Sequence, residues 1–429
     1  MSLLKPVSNE ERNLDGFDFF LLWAGAAISL GEIWAGGLLL PLGLGVGLIA
    51  ILIGHLIGNT PMALSGIIGS RHGVPSIVST RGALGNRGAY LPAALNIVQL
   101  IGWTGVMLYV AGHAAGRLLA VGALNTRLWT IIIGVLTTVW ALGGHNLWKP
   151  LQRIAVTLLI LLSFVMTWSI LREYGFRSLL HIKPTGQGLR FPLGVDLVIA
   201  MPVSWIPLVA DYSRYGLNSR RSAWGTWLGY FIGSSWMYAI GLAAALATGS
   251  DAPDTMVMEV MKSHGAVLSA LLIVLLATFT TTFLDIYSNA VSVQSLAPKW
   301  SEKWLVVAGG VFGTIIGVVF PPEAYQDFLL FIGSTFCPLF GVVLCDYFLL
   351  KRGAYDAENL FRRAKYWYTG GVNAAALGSW LAGFLIYVLC TRTGWIGGSS
   401  LPSMIGAALT YYVAMKLFGT NMKEPAQNA

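Results

Sequence analysis

The chain has 429 residues, of which 55% are hydrophobic and only 11% are charged. Soluble domains carry about 25% charged residues, so this composition excludes a water-soluble globular protein and, with a mean hydropathy of +0.68, predicts an integral membrane protein. The net charge of +8 comes from basic residues that separate apolar runs, with no basic stripe of the kind that binds nucleic acid. Nucleic acid is therefore excluded as an expected partner.

Twelve apolar runs predict an all-α protein that crosses the membrane twelve times. Each run has about 18 to 25 residues, the length that a helix needs to cross the hydrocarbon core. The runs begin near positions 17, 46, 88, 128, 150, 194, 222, 266, 304, 325, 370 and 400. No soluble domain fits between them, so we expect one polytopic domain whose surroundings are the lipid bilayer, and no obligate protein partner is indicated.

The basic residues also predict the orientation of the chain. If the N-terminus is cytoplasmic, 19 of the 27 lysines and arginines lie in segments on the cytoplasmic side, as the positive-inside rule requires. We therefore expect both termini in the cytoplasm and the chain in the inner (cytoplasmic) membrane. The expected segments are a cytoplasmic N-terminus 1–16, spans one to five in 17–173, spans six to ten in 192–350, spans eleven and twelve in 370–418, and a cytoplasmic tail 419–429.

The first span contains an acidic side chain, Glu32, within the segment AISLGEIWAGG. A carboxylate in the hydrocarbon region is costly unless it faces a cavity or a partner, so Glu32 is predicted to bind substrate, ion or proton. The alternative is that it neutralises a group on a neighbouring helix. Glycines on both sides, among them Gly25 and Gly31, predict a helix that breaks here and frees backbone carbonyls to line a cavity.

The third span offers an amide and an indole about one helical turn apart, Gln99 and Trp103. Together with Trp34 of span one and Trp205 of span six, these residues offer aromatic faces on which a planar ring could stack. Many of the 16 tryptophans must belong to interfacial belts instead.

The sixth span carries Pro202 and Pro207 on either side of Ser204 and Trp205. Each proline removes a helical hydrogen bond, so a second broken helix is predicted, and ordinary proline kinks are the alternative. Interruptions in spans one and six, at corresponding places of two five-span halves, are typical of transporters built from inverted repeats.

The eighth span brings three consecutive threonines close to an acidic side chain. Thr280, Thr281 and Thr282 precede Asp285, and hydroxyl and carboxylate oxygens suit a small hard cation. Threonines also bond to their own helix and favour close helix packing, so a structural cluster is the alternative on these residues alone.

Several segments together resemble a known transporter family. They are IWAGGLL in span one, GSRHGVPSIVSTRGALGNRGAYLPA after span two, QLIGW in span three, VADYSRYG at the end of span six and CPLFGVVLCDYFLLKRGAY in span ten. On these segments, and over nearly its whole length, the chain resembles the nucleobase:cation symporter-1 family. The resemblance implies a LeuT-like fold, with spans one to five and six to ten as inverted repeats and two extra C-terminal helices.

The resemblance also implies the site. Sodium, the usual coupling ion of the family, would bind carbonyls of Gly25 and Ile28 and the hydroxyls of Thr280 and Thr281, although a proton is an alternative coupling ion. The implied substrate contacts are Trp103, Ser204, Trp205 and the span-eight side chains Thr282 and Asp285, and the polar residues Glu32 and Gln99 are predicted from the sequence to join them. No cofactor is implied.

The expected function is import of a pyrimidine-type solute by cation symport. Cytosine permeases of the family carry asparagines on span eight where this chain has Thr282 and Asp285, and they lack an acidic residue at the place of Glu32. This pattern is closer to the branch of the family assigned to hydroxymethylpyrimidine, a thiamine precursor. The amine and the ring nitrogen of hydroxymethylpyrimidine would suit a carboxyl group. Cytosine, a purine or allantoin are the alternative substrates. An intramembrane enzyme is not expected, since no catalytic motif is present, and a channel would need no broken helices.

Overall fold

The computed structural model of the protein describes residues 4–119, 125–143, 145–183, 188–252, 255–256, 267–363 and 365–418. The predicted tail 419–429 lies outside these residues. Within them, regular structure is helical apart from two isolated β-bridges, as the apolar runs predict.

The helices of the first half of the chain come first. They are α1 Gly16–Ala27, α2 Leu30–Gly37, α3 Gly43–His72, α4 Ser76–Leu84, α5 Tyr90–Leu119, α6 Thr126–Leu142, α7 His145–Tyr174 and α8 Phe176–His181. The second half contains α9 Phe191–Ser213, α10 Ser219–Thr248, α11 Val267–Leu296, α12 Glu302–Val319 and α13 Tyr325–Leu344. A π-helical segment, Cys345–Leu350, extends α13, and α14 Ala374–Thr393 and α15 Ser400–Phe418 follow.

The predicted spans coincide with these helices. The largest difference in starting position is at the fifth span, predicted near 150 and beginning at His145. Among the described residues, 9 helices are long and apolar enough to cross a membrane, and the bent pair α1–α2 makes up to 10. Helices α6 and α15, which lie where spans four and twelve were predicted, are not among these 10. The count of twelve spans therefore stays a prediction, as do the boundaries of the two repeats.

The break in the first span is confirmed. Helix α1 ends at Ala27, the axis turns by 57°, and Ser29, in an extended conformation, caps the N-terminus of α2. The Ser29 N–H donates to Ala27 O at 2.9 Å instead of continuing the i−4 pattern, and Ile28 has a non-helical ψ of 79°. The interruption therefore frees carbonyl groups near the end of α1.

The predicted break in the sixth span is wrong, because α9 is one continuous helix from Phe191 to Ser213 with both prolines inside it. Close packing on α3 supports the helix along this stretch: a Cβ added at Gly58 of α3 would lie 2.5 Å from Pro202 Cγ. The Ser204 hydroxyl also donates to Met201 O at 2.6 Å. Proline removes a hydrogen bond but does not by itself end a helix that its neighbours enclose.

The two halves of the chain pack on each other through several pairs of helices. Helix α3 packs on α9 and α1 packs on α10, while α5 contacts α12 and α6 contacts α11. Each pair joins one half to the other, as expected for inverted repeats. Helix α2 lies at the centre and approaches α10 very closely, since a Cβ at Gly241 would lie 2.0 Å from Ile33 O. This approach brings Glu32 against α10.

Candidate functional site

Glu32 is buried with 1% of its surface exposed, and both of its carboxyl oxygens have partners on α10. The Tyr230 hydroxyl donates to Oε1 at 2.5 Å, and the Ser234 hydroxyl is placed 2.7 Å from Oε2. The Glu32 N–H donates to the Ser29 side chain in the cap of α2. Glu32 therefore joins α2 to α10 through its carboxyl group.

The hydrogen bonds around Glu32 extend in two directions. Towards α3, the Ser234 hydroxyl lies 2.5 Å from Nε2 of His55, which is also fully buried. Towards α9, Tyr230 accepts a hydrogen bond of 2.8 Å from the indole N–H of Trp205. The broken helix, two helices of the second half and α3 thus share one buried polar network.

Gln99 lies on α5 with none of its surface exposed. Its amide N–H₂ group donates at 2.8 Å to Ser204 O on α9 and at 2.8 Å to the Asn96 side chain. Asn96 in turn donates to the Ser292 hydroxyl on α11 at 2.8 Å. The amide orientation is therefore fixed, while Oε1 of Gln99 has no hydrogen-bond partner among the described residues.

Trp103, one turn further along α5, faces the broken helix. Its ring is 3.5 Å from the place where a Cβ at Gly31 would lie, so the indole packs directly on α2 at this position. The indole makes T-shaped contacts with Phe328 and Tyr325 of α13, whose ring centroids are 5.2 and 6.1 Å away. The indole N–H of Trp103 has no acceptor within the described part of the chain.

Helix α11 presents two further polar atoms of this kind. The Thr282 hydroxyl and Oδ2 of Asp285 are buried, and neither has a hydrogen-bond partner among the residues described. The bond from Asn96 to Ser292 sets the register of α5 on α11: seven residues onward from Asn96 is Trp103, and seven back from Ser292 is Asp285. Trp103 and Asp285 therefore lie at similar depths, with Gln99 about one turn away along α5 and Thr282 about one turn away along α11.

Trp205 belongs to an aromatic cluster beside these groups. Its ring centroid lies 5.5 Å from that of Trp23 on α1, at an interplanar angle of 75°, and 6.3 Å from that of Tyr230. With 7% of its surface exposed, Trp205 is held in place by its neighbours and by its hydrogen bond. Trp34, by contrast, stacks on Tyr325 at 4.1 Å, so one of its faces is covered.

One of the predicted cation ligands, Thr281, lies at the contact between the broken helix and α11. The Thr281 hydroxyl lies 3.4 Å from Ala26 O, next to Gly25 and before the break at Ile28. The Thr280 hydroxyl donates to its own helix, at 2.9 Å from Leu276 O, and retains lone pairs that can bind a cation. The hydroxyl of Thr281 and the end of α1 are therefore brought together.

Comparison with known proteins identifies the family. A sequence model of permeases for cytosine/purines, uracil, thiamine and allantoin matches residues 6–414. The chain belongs to this permease family. The predicted family resemblance is thereby confirmed, whereas the hydroxymethylpyrimidine branch stays a prediction.

Individual relatives of the permease cover most of its length. The cytosine permease of Escherichia coli (strain K12) is 27% identical over 398 residues, which cover 89% of this chain and 86% of the relative. The hydantoin permease of Microbacterium maritypicum is 23% identical over 439 residues, covering 96% and 88%. The relatives are transporters, which agrees with the expectation that the chain is not an enzyme.

Solved structures establish the fold of the permease. Mhp1, a nucleobase-cation-symport-1 family transporter solved in a closed conformation with bromovinylhydantoin bound, superposes with a TM-score of 0.87 at 22% identity, covering 98% of this chain and 97% of that one. A Na⁺-coupled sialic acid symporter in a substrate-bound outward-open state gives a TM-score of 0.72 at 11% identity, covering 98% and 93%. The predicted LeuT-like fold is confirmed.

Sequence reasoning missed the α10 partners of the permease site. Tyr230 and Ser234 lie four residues apart on α10, and residues at that spacing share one face. Two hydroxyls on one face of span seven are the signal that could have indicated them. His55 of α3 could not be paired from local sequence, because its partner Ser234 is 179 residues away.

Two of the motifs that identify the family hold together the end of the permease where α9 and α13 terminate. In VADYSRYG, Asp211 accepts a hydrogen bond from the Ser76 N–H at 3.0 Å, which joins α9 to α4. In the span-ten motif, Asp346 accepts from the Tyr355 and Tyr411 hydroxyls at 2.7 and 2.8 Å. These motifs therefore carry structural contacts rather than substrate contacts.

A cavity opens at the other end of the permease, near the C-terminus of α2. It has a volume of about 430 Å³ and is lined by Trp34, Tyr109 and His113 together with Asp251, Glu323 and Gln326. Tyr325, stacked on Trp34, donates to Gly31 O at 2.8 Å and so closes α13 against the broken helix. This contact lies between the cavity and the polar groups around Trp103.

Proposed function

We propose that this permease imports a pyrimidine-type solute by cation symport across the inner membrane, with both termini in the cytoplasm. Hydroxymethylpyrimidine is the substrate that we propose first, and cytosine is the second. The observation that carries the proposal is that four buried polar atoms on α5 and α11, near the break in the first span, have no hydrogen-bond partner among the described residues. Buried polar groups are usually satisfied, so such a group at a helix break indicates a ligand site.

The chemistry of these four atoms suits an aminopyrimidine. Gln99 Oε1 and Asp285 Oδ2 accept hydrogen bonds, Trp103 Nε1 donates one, and the Thr282 hydroxyl can do either. An aminopyrimidine offers two N–H hydrogens on its exocyclic amine and lone pairs on its ring nitrogens. Two acceptors and two donors in the protein therefore match two donors and two acceptors in the ligand.

The aromatic residues supply the shape of the proposed site. Trp103 lies on α5 and Trp205 on α9. The hydrogen bond from Gln99 of α5 to Ser204 O of α9 joins these helices directly and so helps to set the separation of the two indole rings. Indole rings in this arrangement favour a flat ligand with an aromatic face. Ser204 contributes its backbone carbonyl to the bond, while its hydroxyl is used within α9.

We propose sodium as the coupling ion, bound by the Gly25 and Ile28 carbonyls and the Thr280 and Thr281 hydroxyls. Oxygen ligands of this kind suit a hard cation, and the contact of Thr281 with Ala26 O, next to Gly25, supports a site between α1 and α11. A cation there would bind only when α1 and α11 are close together. Cation binding would thereby fix the broken helix against which Trp103 lies.

A purine or allantoin is the alternative substrate, because relatives with such names match the chain over most of its length. Those relatives include a purine-uracil permease of Arabidopsis thaliana at 23% identity and an allantoin permease of Bacillus subtilis (strain 168) at 23% identity. Allantoin has no aromatic ring to stack on an indole, and it presents N–H and carbonyl groups in place of the ring nitrogens of a pyrimidine.

The test is a binding panel on the purified protein. Cytosine, hydroxymethylpyrimidine, thiamine, uracil, hypoxanthine and allantoin are each titrated by thermal shift and calorimetry, with sodium and with choline as its replacement. The proposal expects an aminopyrimidine to bind most tightly and sodium to tighten it. Tighter binding of hypoxanthine or allantoin than of both aminopyrimidines would contradict it.

A further inference from the structure

Glu32, Ser234 and His55 form a buried chain of hydrogen-bonding contacts. With Glu32 ionised and His55 neutral, the chain has too few hydrogens to place one in every contact. It connects α2, α10 and α3, and every member is at most 1% exposed. The number of hydrogens in the chain can be counted from the contacts.

The count begins at His55. Its Nδ1 is 2.9 Å from Ile51 O, and because a carbonyl oxygen only accepts, Nδ1 must carry a hydrogen. A neutral imidazole then has a bare lone pair on Nε2, which faces the Ser234 hydroxyl at 2.5 Å. In this form His55 can only accept from Ser234.

Ser234 has one hydrogen and two neighbours. Its oxygen lies 2.5 Å from His55 Nε2 and 2.7 Å from Glu32 Oε2, and a hydroxyl donates only one hydrogen bond. If His55 is neutral and Glu32 is a carboxylate, one of these short contacts joins two lone pairs with no hydrogen between them. One additional proton is therefore required, on Oε2 of Glu32 or on Nε2 of His55.

Both arrangements with one added proton have a net charge of zero. The form with a protonated Glu32 and a neutral His55 contains no buried charge at all, and it avoids the desolvation cost of a buried ion pair. In that form Glu32 Oε2 donates to Ser234, and Ser234 donates to His55. Tyr230 donates to Oε1 of Glu32 in either case.

Among the described residues, no charged group contacts Glu32 that could replace this proton. The titratable groups that face Glu32 from outside the buried chain are Tyr230 and Tyr238 of α10 and Tyr325 of α13. Beside Gly31, the side chains from α5 are Trp103 and Met107, and α9 contributes Trp205 through Tyr230; none of these three titrates, and Tyr109 of α5 stacks on Trp34 instead. The carboxyl group of Asp285 on α11, which also contacts α2, has no hydrogen bond to Glu32 among the described residues.

We propose that Glu32, Ser234 and His55 form a binding site for one exchangeable proton, and that this site is linked to substrate through Tyr230 and Trp205. The Trp205 indole N–H donates to Tyr230, so the oxygen that orients the Trp205 ring is the same oxygen that contacts Glu32. Loss of the proton leaves a buried carboxylate that binds the Tyr230 hydroxyl more strongly, and the resulting shift of Tyr230 moves Trp205, which is bonded to the same oxygen. Proton and substrate therefore favour the same arrangement of α9 and α10, and by linkage each strengthens the binding of the other.

The first part of the test needs no substrate. Infrared spectra of the purified full chain near neutral pH should contain the carbonyl stretch of a protonated carboxylic acid that Glu32→Gln removes and that Glu358→Gln, at an exposed position, retains. The amide of Glu32→Gln can still donate to Ser234 and accept from Tyr230, so this variant should fold. Nitrogen-15 NMR of the wild-type histidines, with His55→Gln for assignment, detects the proton if it is on His55. A carboxylate at Glu32 together with a neutral His55 overturns the proposal.

The second part measures the link to substrate, and it rests on the proposed function. With sodium held constant, the Kd of the tightest-binding aminopyrimidine should rise with pH to a limiting slope of about tenfold per pH unit, as expected for one linked proton. Glu32→Gln should flatten the profile and Glu358→Gln should preserve it. An unchanged slope in Glu32→Gln refutes the link. If no compound binds, the proposed function fails, while the spectroscopic result still decides the proton site.

Discussion

Replacing Tyr230 with phenylalanine isolates one oxygen atom at the meeting point of three helices. That oxygen accepts from the Trp205 N–H at 2.8 Å and donates to Glu32 Oε1 at 2.5 Å. Phenylalanine preserves the ring and its packing against Trp23 and Trp205. The variant therefore changes two hydrogen bonds and little else.

The magnitude follows from the burial of the groups left behind. The Trp205 N–H and one oxygen of Glu32 lose their partners in a site without access to water, and a buried unsatisfied group costs about 1 to 3 kcal/mol. We expect Tyr230→Phe to lower the free energy of unfolding by about 2 to 4 kcal/mol. If about 1 to 2 kcal/mol of this cost falls on the position of Trp205, the KM for substrate rises about 5- to 30-fold.

The assay is initial-rate uptake into proteoliposomes, with thermal unfolding measured on the same preparations. Tyr238→Phe is the matched control, because Tyr238 is a fully buried tyrosine of the same helix whose hydroxyl makes one longer bond, 3.3 Å, to Leu197 O. Its KM should stay within about twofold of wild type, since an isolated weak bond contributes less than about 1 kcal/mol. Equal KM values for the two variants would refute the role given to the Tyr230 hydroxyl.

Three further substitutions test other parts of the site and the fold. Thr281→Ala should abolish the stimulation of uptake by sodium, whereas Thr278→Ala, whose hydroxyl bonds to its own helix at 2.7 Å, should retain it in a sodium titration of transport rate. Gln99→Ala should raise the KM about 10- to 100-fold, because it removes a buried acceptor for the ligand; an unchanged KM would contradict its placement in the site. Gly241→Ala should destabilise the protein by about 1 to 3 kcal/mol or more, because its Cβ would lie 2.0 Å from Ile33 O. Gly378→Ala, with nothing within 4 Å of the added Cβ, should leave the melting temperature unchanged or raise it slightly.

The fold was largely predictable because membrane helices are specified by local composition. Runs of apolar residues identified the helices, and an acidic residue among glycines identified the break after Ala27, since both signals lie within one segment of sequence. The prolines of α9 misled because they act on single hydrogen bonds. Whether Pro202 ends a helix depends on the packing of α3 against it, which no local pattern encodes.

The site was predictable in its composition and less so in its geometry. Gln99, Trp103, Thr282 and Asp285 were identified as polar residues in apolar spans, and the structure leaves one polar atom of each without a partner among the described residues. The partners of Glu32 could not be found in the same way. Tyr230 lies 198 residues from it in sequence, and only the close approach of α2 and α10 brings them together.

Binding of a cation at the broken helix is proposed to drive import of an aminopyrimidine. The most direct measurement is uptake of radiolabelled hydroxymethylpyrimidine and cytosine into proteoliposomes under an inward sodium gradient, compared with equal sodium on both sides. We expect at least one of the two compounds to accumulate above its external concentration. This accumulation should depend on the sodium gradient and should be lost in Thr281→Ala. Equilibration without accumulation under sodium and proton gradients alike, or accumulation that Thr281→Ala leaves sodium-dependent, would contradict the proposal.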